Sequence, residues 1–177
     1  MANCFLTGSF GGDECDFGYG GVERVAALAK EQLGVITYNT TKTAIVTLPT
    51  LNSAKFHEIF VTEETAGYDD DFTRAGTNKF MTQVLNFAVS GKGEATLARA
   101  HELLKGKHSF LIKCNDGFWR LMGSQKGMIA TQGKASSGVK AEDEAGLTFS
   151  LTCKNLGYAP IVPAEVAEAL IGSAVAI

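Results

Sequence analysis

The stretch Lys113-Cys114-Asn115-Asp116-Gly117-Phe118-Trp119-Arg120-Leu121-Met122-Gly123 decides how the chain is read. It holds the single tryptophan and sets an acid beside a glycine, so it is either a binding or catalytic loop or the tip of a β-hairpin. Phe110, Ile112 and Cys114 alternate with Leu111 and Lys113 ahead of it, and Phe118 to Met122 returns an apolar run. Two such runs around Asn-Asp-Gly predict a hairpin, because glycine tolerates the positive φ of a tight turn. Alternation then places Trp119 and Leu121 on one face, which favours packing or a subunit contact over a platform for stacking bases.

Strands are read on both sides of this hairpin. Leu147 to Cys153 has a clean period of two, with Leu, Phe, Leu and Cys on one face and Thr, Ser and Thr on the other. Asn78 to Ser90 reads as a long strand with Met81, Leu85, Phe87 and Val89 alternating around Gln83. Phe56 to Val61, Gly34 to Tyr38, Ala44 to Leu48 and Met128 to Thr131 are strand-like. Val22 to Lys30 is ambiguous, since its alanines favour helix. Glu94 to Leu104 predicts an amphipathic helix with a stripe of Leu97, Ala100 and Leu104, ended by Gly106. Pro163 to Ile171 fits a short second helix. The acidic run 63–78 reads as a loop or hairpin tip, and 132–146 as a loop. Many short strands and one clear helix predict a mainly β (α+β) fold, an antiparallel barrel or sandwich with one flanking α-helix.

The chain of 177 residues is expected to form one domain over 1–177, with an N-terminal arm over about 1–20 and a C-terminal extension over about 160–177. Its net charge of -3 exerts no general pull on nucleic acid or membrane. The distribution is uneven, however. Residues 1–89 carry 6 basic and 11 acidic side chains, whereas 90–154 carry 10 basic and 6 acidic. Complementary faces of that kind suit self-association, and equally suit two solvated surfaces. Cys4, Cys15, Cys114 and Cys153 form no CxxC or zinc spacing, and the last two fall on apolar strand faces. Met1 to Phe5 lacks a secretory pattern and no apolar run is long enough to cross a bilayer, so a reducing cytoplasm is the expected place of synthesis.

The sequence carries no recognisable catalytic signature. Ser90-Gly91-Lys92-Gly93 lacks the remaining residues of a phosphate loop, and the Gly18 to Gly21 run does not fit a dinucleotide fingerprint. Glu63, Glu64, Asp69, Asp70 and Asp71 lack the order of a calcium loop and read as a solvated acidic segment. His57, His101 and His108 are dispersed, with no nucleophile nearby in sequence. Lys105, Lys107, Lys113 and Arg120 beside Phe118 and Trp119 form a candidate basic, aromatic patch. The residues therefore predict no enzyme, and no catalytic, cofactor or metal residue.

The order of elements carries a resemblance. A strand over Phe80 to Val89 is followed by a Gly break and a short helix ending in Leu103-Leu104-Lys105-Gly106-Lys107. Next come Phe110 to Lys113, the Asn115-Asp116-Gly117 turn, Phe118 to Gly123, a Gly/Ser/Lys loop and Gly146 to Cys153. This order, with Cys15 ahead of Gly20-Gly21-Val22-Glu23-Arg24-Val25, resembles the tail tube proteins of tailed bacteriophages. The likeness covers roughly residues 12–160; the acidic 63–71 segment and the Ala-rich tail after Pro163 lie outside it. It implies a tail-tube-like virion subunit that forms hexameric rings, stacked into a conduit through which DNA passes without specific binding. The implied partners are further copies of the chain and other phage tail or neck proteins, with no membrane, and the implied location is the virion tail after synthesis in the host cytoplasm. A head–tail junction protein of the same fold (neck, tail terminator or adaptor) is the near alternative, and a non-enzymatic ligand-binding module the distant one. Glu63, Glu64, Asp69, Asp70, Asp71 and Trp119 are the candidate inter-subunit contacts. Long strands such as 78–90 are expected to find an edge partner in a neighbouring subunit.

Overall fold

The computed structural model describes residues 20–91, 93–137 and 146–172. The predicted hairpin is present, between a strand at His108–Cys114 and one at Trp119–Met122. In chain order the strands are β1 (Val22–Ala29), β2 (Thr37–Tyr38), β3 (Ile45–Thr47), β4 (His57–Ile59), β5 (Gly67–Ala75) and β6 (Asn78–Ser90). After helix α1 (Glu94–Lys105) come β7 (His108–Cys114), β8 (Trp119–Met122), β9 (Ile129–Ser136), β10 (Gly146–Asn155) and β11 (Ile161–Val162), then helix α2 (Ala164–Leu170). The fold is mainly β. Every named strand pair is antiparallel.

A five-stranded sheet has the order β11-β8-β7-β1-β4, and a four-stranded sheet the order β5-β6-β10-β9. A small β2-β3 ribbon completes the set. Among the described residues neither sheet closes on itself, so within one chain there is no closed barrel. One core lies where the two sheets meet: Val25, Ala27, Phe110, Ile112 and Met122 belong to the same buried cluster as Leu85, Phe87, Leu147, Phe149 and Leu151. A second core lies on the opposite face of the five-stranded sheet, where Ala26, Leu28, Leu111, Trp119 and Leu121 meet Ile45, Leu48, Phe56, Val162 and Ala167.

This double burial resolves the ambiguity at 22–30. Residues Val25 to Leu28 are four consecutive buried positions, as are Ser109 to Ile112 in the neighbouring strand. A strand covered on both faces shows no alternation, and alanines let the two cores approach it closely. Strand β10, in the four-stranded sheet, is covered on one face only, which explains its clean period.

Several expectations are corrected. The run at 63–78 is not a loop throughout, because β5 pairs with β6 in continuous register from Gly67↔Asn86 to Ala75↔Asn78. Tertiary pairing overrides the poor strand propensity of its aspartates. Strand β9 extends to Ser136, into the stretch expected to be loop, whereas positions 138–145 lie outside the described residues. The strand expected over Phe56 to Val61 shortens to His57–Ile59. In α1 the buried residues are Ala100 and Leu103, while Leu97 and Leu104 remain about 40% exposed. Strand β6 needs no outside partner, since β5 and β10 flank it. The second helix exists, and with β11 it places Val162 and Ala167 in the second core, so residues 160–172 are part of the body. The arm at 1–19, with Cys4 and Cys15, lies outside the described residues.

Candidate assembly surface

The four-stranded sheet has one covered face and one open face. Leu147, Phe149, Leu151 and Cys153 of β10 and Met81, Gln83, Leu85 and Phe87 of β6 are buried. Their neighbours Thr148, Ser150, Thr152 and Lys154 pair in register with Ala88, Asn86, Val84 and Thr82. Residues directly opposite in a ladder share a face, so these form one open surface of small, mostly polar side chains.

The same register places Asp69 and Asp71 of β5 beside Val84 and Thr82, on that open face. At the other side Lys134 and Gln132 of β9 pair with Thr148 and Ser150. The open face is therefore acidic along β5 and basic toward β9 and Lys154. Among the described residues no further strand pairs with β5 or with positions 129–135 of β9 on their outer sides. An unpaired strand edge offers a row of free N–H and C=O groups to another chain.

Alternation separates the aspartates that looked like one cluster. Asp70 points to the covered side, opposite Gln83, where its Oδ2 accepts the Ala159 N–H at 2.7 Å. Burial raises the Asp70 pKa above its ordinary value, against the pull of the Ala159 N–H, Gln83 and Arg120. Gln83 is itself fully buried, and its Oε1 accepts from Gly123 N–H at 3.0 Å, Asn155 Nδ2 at 2.6 Å and Cys153 Sγ at 3.3 Å. Burial pushes the Cys153 thiol up to about 11, as suits a thiol packed in the core. Above this polar seam lies an open recess of about 450 Å³, lined by Tyr68, Asp70, Arg120, Tyr158 and Ala159 with Asp69 and Asp71 at its rim. Among the described residues no three His, Cys, Asp or Glu side chains gather closely enough to hold a metal ion.

The other candidate residues fall elsewhere. Glu63 and Glu64 are exposed in the turn before β5, which Thr62 N–H ties to the Ala88 carbonyl at 2.8 Å. Trp119 is only 2% exposed and takes the packing alternative. The Arg24 guanidinium lies 5.2 Å from its ring centroid and pairs with Glu58 at 2.6 Å and Glu168 at 2.8 Å. The hydrogen bond that Arg24 donates to Glu58 is the main reason that the Arg24 pKa is raised, and burial works against it. Trp119 is thus no surface contact in this chain. The acid of the hairpin is structural too: Asp116 Oδ1 accepts the Phe118 N–H at 2.9 Å and Oδ2 pairs with Arg120 at 2.8 Å. Gly117 closes the turn at φ 84°, its N–H bonded to the Cys114 carbonyl. The expected basic patch around Phe118 does not form as a unit: Lys113 is engaged by Glu23 and Arg120 by Asp116, each at 2.8 Å, while Lys105 and Lys107 lie at the opposite, His108 end of β7.

No protein family, curated protein or solved structure matches the chain. The functional reading therefore stands on the residues and their geometry. Lys134 and the β9 edge carried no sequence signal, because an edge is defined by pairing between distant segments. The nearest signal was the segmental charge imbalance.

Proposed function

We propose that the chain is a structural, non-enzymatic subunit that joins copies of itself edge to edge into rings, and that these rings build a virion tail tube. The observation that carries the reading is the four-stranded sheet with its polar open face and two free edges of opposite charge. A contact between unlike edges is heterologous, and it closes into a ring when the rotation per subunit divides a full turn. In such a ring β5 of one copy pairs with β9 of the next, and the open sheets join into a continuous inner barrel. The lumen is then lined by Thr82, Asn86, Thr148, Ser150 and Thr152, with Asp69 and Asp71 offsetting Lys134 and Lys154. A lining without net positive charge releases few counterions from DNA, so a duplex slides without being held.

The edge contact is tested by charge. The Asp69→Lys/Asp71→Lys variant sets like charges against Lys134 of the neighbour and is expected to abolish rings in negative-stain images, while the melting temperature of the subunit changes little. Rings from this variant at parental yield would contradict the reading.

A further inference from the structure

Three segments build the recess beside β5. Tyr68 and Asp70 line it from the covered side of the four-stranded sheet, Arg120 from β8, and Tyr158 and Ala159 from the connection between β10 and β11. That connection is tied down twice: Leu156 N–H donates to Gln125 Oε1 at 3.2 Å, and Ala159 N–H to Asp70 Oδ2 at 2.7 Å. Tyr158, between the two ties, is nonetheless 68% exposed, so its ring lines an open recess of about 450 Å³ while left largely in water.

The charges of the wall do not cancel. Arg120 is the cation that lines it, and its Nη2 is engaged at 2.8 Å by Asp116, which does not line the recess. Among the described residues Asp70 is in no salt bridge, and its buried Oδ1 has no hydrogen-bond partner. Gln83 lies opposite Asp70 in register and is fully buried, yet its Nε2 is also unpartnered, so the amide does not close a bond to that oxygen. A carboxylate withdrawn from water ordinarily has a countercharge or several donors. Asp70 has one backbone N–H, and burial holds its pKa above the ordinary value. The rings are unequal too. Tyr68 already has the Arg120 guanidinium 5.7 Å from its centroid, whereas no cation of the described residues lies over Tyr158.

We propose that the recess is a binding site for a guanidinium group, from an arginine side chain or a small guanidino compound, set against the Asp70 carboxylate with its plane over the Tyr158 ring. A guanidinium is flat, weakly hydrated and forked with five N–H donors, so it stacks on an aromatic ring and still reaches a carboxylate. An ammonium is more strongly hydrated and lacks the flat face. Asp69 and Asp71 at the rim favour the entry of a cation. The site goes beyond the assembly reading and does not rest on it.

The probe is Nα-acetyl-arginine amide, with the uncharged isostere Nα-acetyl-citrulline amide as control, titrated into the full chain by calorimetry and amide NMR at low ionic strength. The arginine probe is expected to bind and to shift the amides of Tyr68, Asp70, Tyr158 and Ala159, and the citrulline probe is expected not to. Asp70→Asn keeps an oxygen for the Ala159 N–H but removes the charge, so it is expected to weaken binding about tenfold or more in a folded chain. Tyr158→Ala removes an exposed ring and is expected to weaken it about three- to fivefold. A short alanine peptide with one central arginine separates the sources: tighter binding than the single residue points to a polypeptide, and equal binding to a free guanidino compound. No saturable binding of the arginine probe, equal binding of citrulline, or full affinity in either variant would each overturn the site.

Discussion

Trp119 is held by Arg24 as well as by its burial. The Arg24 guanidinium lies over its ring while reaching Glu58 and Glu168, so one side chain links β1, β4, α2 and the tryptophan. Trp119→Ala removes a fully buried aromatic and is expected to cost about 3–5 kcal/mol in denaturant unfolding. Trp119→Phe keeps most of the packing and is expected to cost clearly less. Asp70 offers a pH test. Its pKa is raised by burial, so folding disfavours the charged form, and the cost is absent below the unfolded value of 3.8 and grows as pH rises through the folded value. Asp70→Asn retains an oxygen for the Ala159 N–H and is expected to raise the melting temperature at neutral pH. Below the unfolded value the parent and the variant are expected to melt alike. A variant less stable at neutral pH would show that the carboxylate charge stabilises the seam.

At the scale of elements, legibility followed the number of covered faces. Strand β10 and the β7–β8 hairpin could be read directly, because alternation or an Asn-Asp-Gly turn marks them. Strand β1 could not, since both of its faces are buried and its alanines mimic a helix. Strand β5 was hidden by three aspartates, although Tyr68, Asp70 and Phe72 do alternate with Asp69, Asp71 and Thr73 ahead of a Gly76 turn. Gln83 looked like a polar interruption in an apolar strand. It is the acceptor that joins β6, β10 and the turn after β8. That turn contains a glycine that resists replacement. Gly123 has φ 67°, and a Cβ there would meet Met128 N at 2.9 Å and the His108 carbonyl at 3.0 Å. Gly123→Ala is expected to lower stability by about 1–3 kcal/mol, visible as an earlier unfolding midpoint. An unchanged midpoint would mean that the turn relaxes freely.

Among the described residues, a sheet buried on both faces carries a second sheet that is buried on one face and open on the other. The sequence could announce a mainly β chain with a central helix, but the edges and the open face arise from pairing between segments tens of residues apart. Those surfaces are what an assembling subunit needs. The most direct test of the central claim is the mass and image of the purified full chain, by sedimentation and negative stain over a concentration series. Closed rings of uniform subunit number, with a central channel, are predicted. A monomer that persists at the highest concentration and lowest salt would contradict the account.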